Sequence, residues 1–251
     1  MKKIAICIIG TNAYFSLAVR FINRFHHLYT GDNLFSFYLF TDKNPYPFLP
    51  ESLDYTWCKA AHENWADATN SKFTSLLSIP EHDSLFYFDA DTSIINKFGD
   101  WFLVDDLVGG QHFMYQDAGY HGMPLEKHKP SHCFLEYEDG KEYTYYLGAF
   151  FGGRYDLVKK MCIELKARQD LDHSLGYEAP VNDESYINYY FNKNEVEAIP
   201  TKDFKFLISH KGGLKIERDP NVKYEEVEEQ IRNNKDSFFD IQNGKYIKEQ
   251  I

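Results

Sequence analysis

Residues 85–91 read Leu-Phe-Tyr-Phe-Asp-Ala-Asp, an unbroken apolar run that ends on two carboxylates one residue apart. A run this short and this apolar fits a strand buried on both faces, as in the parallel sheets of α/β proteins. Its last side chains then reach the carboxyl edge of the sheet, where α/β folds open their ligand crevices. Two carboxylates held together there repel each other unless a cation sits between them. Hard oxygen ligands of this kind suit Mg²⁺ or Mn²⁺, which also grip substrate phosphates. Asp89 and Asp91 also read as a helix cap and a turn residue. A strand followed by Asp-x-Asp and then Thr92-Ser93 also opens phosphatases that use an aspartyl nucleophile. The phosphatase pattern fits poorly, because strand candidates precede the motif and Asp105-Asp106 follow closely without the usual glycine.

The flanking chain supplies the sheet. Lys3 to Ile9 is a continuous apolar strand bounded by Gly10, and a helix follows from about Tyr14 to Tyr29 with Phe15, Ala18, Val19, Ile22 and Phe25 on one face. Leu34 to Phe40 is a second strand, Asn44 to Pro50 a proline-rich loop and Tyr55 to Cys58 a short strand. Asp67 is expected to cap a helix running to Ser78, before Pro80. Leu107–His112 and Tyr143–Phe151 read as further strands, Asp156–Gln169 and Asp183–Phe191 as helices. Strand and helix alternate in the first half, the pattern of an α/β sheet. From Lys211 onward apolar density falls and charge rises, which reads as an exposed tail or surface helix.

With 43% apolar and 17% aromatic residues the chain is not disordered, and its length suits one domain. Lys and Arg total 27 against 38 Asp and Glu, a net charge of −11. That balance argues against nucleic acid as the partner. An anionic small ligand would need a local source of positive charge. No run approaches the roughly 20 apolar residues of a membrane span. Lys2-Lys3 lead straight into a strand, so no cleavable signal is expected. The four cysteines (Cys7, Cys58, Cys133 and Cys162) lack metal-ligand spacing and read as reduced thiols.

Two further segments carry chemistry. In Tyr145-Tyr146-Leu147-Gly148-Ala149-Phe150-Phe151-Gly152-Gly153, small residues between large aromatics let a ligand or another backbone come close. Asn182-Asp183-Glu184-Ser185 opens a helix, where acidic residues are favoured by the dipole or can be presented to a reacting carbon. Together with Asp89-Ala90-Asp91, in this order and spacing, these segments resemble glycosyltransferase family 6, which includes the blood-group A and B transferases and the α-1,3-galactosyltransferase. Phe37-Tyr38-Leu39-Phe40-Thr41-Asp42 and Trp65-Ala66-Asp67 extend the resemblance, which covers about Ile4 to Pro200.

The resemblance implies a GT-A type α/β fold: one compact unit with a mixed central sheet over residues 1–251. It has a nucleotide-binding half (about 4–110), an acceptor and catalytic half (about 111–210) and a charged tail (211–251). It implies a retaining α-1,3 transfer of N-acetylgalactosamine or galactose from the UDP-sugar to the 3-hydroxyl of a β-galactoside, with or without fucose. The acceptor would be an oligosaccharide or glycolipid. Asp89 and Asp91 are then the ligands of Mn²⁺ (or Mg²⁺). Tyr14, Trp65, Asp67, Lys72, Asp89, Ala90, Asp91, Leu147, Gly148, Ala149 and Asp183 fall at donor positions. Glu184 is the catalytic carboxylate, also on the acceptor side, and His112 contacts the acceptor. Lys72 also reads as an ordinary exposed helix lysine, and His112 as a satisfied sheet-edge histidine. Leu147 and Ala149 mix the residues that distinguish N-acetylgalactosamine from galactose donors, with a slight lean to N-acetylgalactosamine.

Two features depart from the family: its Thr-Tyr-Glu-Arg-Arg acceptor segment is absent between Ser131 and Tyr143, and Asn182 replaces the usual histidine. Lys211, Lys215, Arg218 and Lys223 are candidates for tail contacts that close over UDP. Without an anchor or stem, the chain resembles a bacterial or phage-type member working in the cytoplasm, peripheral at the inner membrane. A carbohydrate-binding protein that has lost catalysis is the alternative of another class.

Overall fold

The computed structural model describes residues 1–94 and 97–200, together with the short strands at 208–209, 237–240 and 245–248. The expected tail contacts at Lys211, Lys215, Arg218 and Lys223 lie outside the described residues.

Strand β1 (Lys3–Ile9) leads through a 3₁₀ turn into α1 (Phe15–Leu28), followed by β2 (Leu34–Thr41) and β3 (Tyr55–Lys59). Two short helices, α2 (Trp65–Asn70) and α3 (Lys72–Ser78), precede β4 (Ser84–Asp89), β5 (Thr92–Ser93) and β6 (Leu107–Gln111). After a long loop region come β7 (Tyr146–Arg154), α4 (Tyr155–Ser174), α5 (Asn182–Lys193) and β8 (Glu197–Ile199). Seven strands form one sheet in the order β3-β2-β1-β4-β7-β6-β8. Only β7 runs against its neighbours; the other pairings are parallel. The ends of β1, β4 and β6 and the start of β7 therefore share one edge of a mixed α/β sheet.

Alternation along β1 makes the layers. Ile4, Ile6 and Ile8 point into a core with α1, and Ala5, Cys7 and Ile9 into a second core with α3, α4 and α5. The Phe-rich composition fills the first of these. The Phe25 ring meets Phe35 and Phe98 with centroids 4.8 Å apart and Phe37 at 5.4 Å, all edge-on, the arrangement that the ring quadrupole favours. Residues 112–145 build little regular structure and pack on a small core of their own around Tyr120, Leu125, Leu135 and Tyr145. All four cysteines are free thiols, and Cys58 alone is not buried.

Several boundaries differ from the sequence reading; α4, for one, runs on to Ser174 rather than ending at Gln169. The helix expected from an Asp67 cap begins earlier, because extended Asn64 is the cap and its side chain accepts from the Asp67 N–H at 3.0 Å. It also breaks at Ser71, which opens α3. Residues 143–145 stay out of β7 because Tyr143 and Tyr145 pack on the small core. In the stretch read as a tail or helix, Ser237–Asp240 and Lys245–Lys248 pair as antiparallel strands. Phe238, Phe239, Tyr246 and Ile247 are of the types that favour strands.

Candidate functional site

The shared sheet edge opens into a cleft of about 330 Å³. Its lining includes Thr11, Asn12 and Tyr14 after β1, Trp65 and Lys72 from the two short helices, and Asp89, Ala90 and Asp91 at the end of β4. Asp91 is nearly buried, and β5 directly after it pairs Thr92 with Ser209. Asp67 sits in the first turn of α2 and does not line this cleft.

Lys72 is not an exposed helix lysine: its side chain is only 4% accessible. Its ammonium lies 3.1 Å from Asp89 Oδ1 and 2.8 Å from Asp183 Oδ2, and it donates to the Gly148 carbonyl at 3.0 Å. The Asp183 contact is close enough for an ion pair but is not aligned as a hydrogen bond. Tyr87 completes the arrangement, its hydroxyl donating to Asp89 Oδ1 at 2.8 Å and its ring lying 4.6 Å under the ammonium. Burial disfavours the Lys72 cation, but Asp183 and Asp89 outweigh it and hold the group charged, with its pKa above the ordinary value. Burial pushes Asp183 up to about 6 despite Lys72, and nearby Asp89 adds to the rise.

Gly148 and the pair Asp183-Glu184 meet through a distortion of β7. Between the pairs Gly109↔Phe151 and Gln111↔Tyr146 the register advances two residues on β6 and five on β7. The extra residues form a bulge that holds Leu147, Gly148 and Ala149, a device common beside active sites. In the bulge the Gly148 N–H donates to Glu184 Oε2 at 2.6 Å, while Tyr145 donates its hydroxyl to Oε1 at 2.7 Å. A Cβ on Gly148 would lie 3.0 Å from that same Oε2, so a larger residue would push Glu184 away. Burial raises Glu184 to about 7 against these two donors. Asn182, immediately before the pair, sits at φ +43°, a left-handed conformation that Asn tolerates better than most residues.

His112 follows β6. Its N–H donates to the Tyr145 carbonyl at 2.7 Å and its ring lies 5.6 Å from the Tyr145 ring, one residue contact away from Glu184. Burial lowers its pKa to about 4, so the imidazole is neutral at ordinary pH. The structure thus joins Lys72, Asp89, Gly148, Asp183 and Glu184 in one contact network, with His112 reaching it through Tyr145. Tyr14, Trp65, Ala90 and Asp91 line the adjoining cleft. Leu147 and Ala149 are half-buried in the bulge and line neither that cleft nor this network.

Sequence reasoning missed Tyr145, Tyr87, Asn12 and Asn188. Asn188 accepts from the Tyr146 N–H at 2.8 Å and donates to the Tyr146 and Glu184 carbonyls, tying α5 to the start of β7. Its signal was available: it stands one helical turn after Glu184, on the same face.

No group of three or more His, Cys, Asp or Glu side chains arranged for a metal occurs among the described residues. Asp89 and Asp91 still suit a divalent ion shared with a diphosphate, because such ions take one or two carboxylates and fill their shell with phosphate oxygens and water. The contacts of Asp89 with Lys72 and Tyr87 both fall on Oδ1.

Paired carboxylates, a buried lysine and a carboxylate held by a strand bulge thus gather at one sheet edge. The family model for glycosyltransferase family 6 matches residues 67–206. The chain belongs to this family, and its mixed sheet with flanking helices is of the GT-A kind. It is similar to the O-antigen biosynthesis glycosyltransferase WbnI of Escherichia coli, 27% identical over 164 residues that cover 63% of this chain and 69% of that protein. It is also similar to the globoside alpha-1,3-N-acetylgalactosaminyltransferase 1 of Homo sapiens, 27% identical over 179 residues, 67% of this chain and 50% of the human protein. No described helix is long and apolar enough to cross a membrane.

Proposed function

We propose that this glycosyltransferase moves N-acetylgalactosamine or galactose from its UDP-sugar to the 3-hydroxyl of a β-galactoside, with retention of the α configuration. The observation that carries the reading is Glu184, held by the Gly148 N–H and the Tyr145 hydroxyl beside the Lys72–Asp89–Asp183 charges. The name of the human relative, an alpha-1,3-N-acetylgalactosaminyltransferase, supports the linkage.

In this reading residues 4–110 hold the nucleotide, with Tyr14 and Trp65 offering aromatic faces in the cleft, and residues 111–210 hold the acceptor near His112. Asp89 and Asp91 hold Mn²⁺ or Mg²⁺, which when bound supplies Lewis-acid stabilisation of the departing diphosphate. Lys72 keeps the carboxylates compatible with an anionic donor, which answers the acidity of the chain as a whole. As the bond from the anomeric carbon to the UDP oxygen breaks, its electron pair leaves with UDP and positive charge grows on the sugar. Glu184 meets that charge, either by attacking the carbon or by stabilising the ion while the acceptor oxygen attacks from the departing face. Both routes need Glu184 ionised. The acceptor's proton leaves with the UDP phosphate oxygen. Neutral His112 is suited to a hydrogen bond with an acceptor hydroxyl.

The test is incubation with UDP-N-acetylgalactosamine or UDP-galactose and Mn²⁺, first in water alone and then with lactose. Slow UDP release in water and an α-linked product with lactose, read by NMR of the anomeric proton, are expected. No UDP release with either donor would point instead to a binding protein, and a β-linked product would remove the retaining assignment.

A further inference from the structure

Beside the candidate site a second cleft of about 680 Å³ opens between residues 116–122 and 137–144. Its wall is aromatic. The Tyr137 ring lies 5.2 Å from both Tyr120 and His121, and 6.4 Å from Tyr143 with planes 23° apart. The polar tips of all three tyrosines are already engaged, Tyr137 donating its hydroxyl to Asp139 at 3.3 Å. Tyr120 donates its hydroxyl to the Leu135 carbonyl at 2.6 Å. The Tyr143 hydroxyl donates to the Glu136 carbonyl and accepts from the Glu138 N–H. The ammonium groups of Lys127 and Lys141 stand over the Tyr120 and Tyr143 rings, so what the wall offers a ligand is the face of Tyr137, which remains 46% accessible. The rest of the lining mixes small residues with Gln116, Asp117, Lys141, Glu142 and Thr144.

Apolar ring faces beside amide, hydroxyl and carboxylate groups match a pyranose, whose C–H face stacks on an aromatic ring while its hydroxyls bond at the edges. Asp117 and Glu142 outnumber Lys141, whose ammonium is paired with Glu138, so the lining offers an anionic ligand no net positive charge. The cleft is also placed by the chain: Gln111 and Thr144 in its lining are the immediate neighbours of His112 and Tyr145, and Tyr145 holds Glu184.

We propose that this cleft is a subsite for the inner, uncharged sugars of the acceptor glycan, with one pyranose stacked on Tyr137 while the terminal sugar reaches toward Glu184. The proposal rests on the transfer reading above only for which end of the glycan lies where. Its test is binding, so that the two can fail separately. Isothermal titration with UDP present compares lactose with lacto-N-neotetraose, which has the same terminal galactose but two more sugars. The tetrasaccharide should bind about ten-fold tighter to the wild-type protein, as one stacked ring would give. Tyr137→Ala should abolish that gain without changing lactose binding. Tyr137→Phe, which keeps the face, should preserve it. A tetrasaccharide that binds no better than lactose overturns the subsite, and so does a Tyr137→Ala protein that loses both sugars equally. Preferential tetrasaccharide binding without any UDP release would leave the subsite standing and remove the transferase reading.

Discussion

Asp172 and Asp183 are both sealed from solvent, with side chains 0% and 4% accessible, yet burial has opposite outcomes for them. Asp172, on α4, accepts from the His132 N–H, the His132 ring, the Ser131 hydroxyl and the Tyr186 hydroxyl. Burial pushes its pKa up, but these donors more than compensate and hold the carboxyl below its ordinary range. Asp183, on α5, has Lys72 in ion-pair contact and Asp89 nearby, and its pKa rises to about 6. A surplus of donors makes a buried carboxylate a structural rivet. Too few of them leave it ready to respond to a ligand that brings charge. The rivet ties the loop around Ser131 to α4 and α5; the underserved Asp183 meets Lys72 where the sheet edge opens.

The largest effect that would sharpen this contrast is on turnover. Glu184→Gln should lower kcat/KM on the order of 10³-fold while UDP titration shows affinity within a few-fold of wild type. Asp172→Asn should leave kcat/KM per folded molecule within about five-fold, since its role is packing. Equal losses in the two variants would erase the distinction. Next come the charges themselves. Lys72→Met leaves two carboxylates facing each other and should cost about 3–5 kcal/mol in urea unfolding. Asp172→Ala, which strands Tyr186 and His132, should cost about 1–3 kcal/mol. If the order were reversed, the site would be more rigidly built than the rivet. Chelation follows: excess EDTA should reduce transfer by at least about 100-fold, with recovery on adding Mn²⁺. Full activity in chelator would end the assignment of Asp89 and Asp91 to a metal.

Acidity separates the two carboxylates by sign. Glu184, raised from 4.5 to about 7, keeps its proton more readily in the folded chain, so its contribution to stability is full below pH 4.5 and is lost as pH rises through 7. Glu184→Gln should therefore keep on the order of 2–3 kcal/mol that the wild-type protein loses across that window, read from unfolding midpoints at each pH. Asp172 acts in the opposite sense, contributing stability above the ordinary carboxylate range that is lost on acidification. For turnover, kcat/KM should climb with pH through about 7, as Glu184 ionises. A flat profile across pH 6–8 would mean that Glu184 in the free enzyme does not ionise near 7. The smallest effect is donor choice: Ala149→Gly should move the N-acetylgalactosamine to galactose ratio up by about ten-fold or less, the reach of one methyl group.

The fold was legible wherever local pattern sufficed. Lys3–Ile9, Leu34–Phe40 and the strand ending at Asp89 are apolar runs with no alternative to a buried sheet, and their ends matched to within a residue. The site's residue types were legible from three motifs. Their joining was not, because the contacts that link the motifs span long stretches of chain: Lys72 reaches Asp183, and Gly148 reaches Glu184.

What the sequence determined by itself was therefore most of the sheet strands, the larger helices and the family, since hydrophobic period and short motifs are local. What only the tertiary structure decided was the state of each charged group. Lys72 could be read as a surface lysine until α3 packed on α4 and β1 and brought its ammonium to the Gly148 carbonyl, and nothing in the string Asn182-Asp183-Glu184 distinguishes a helix cap from a carboxylate poised near neutrality. The physical reason is that burial and hydrogen-bond donors set ionisation, and both come from residues distant in the chain.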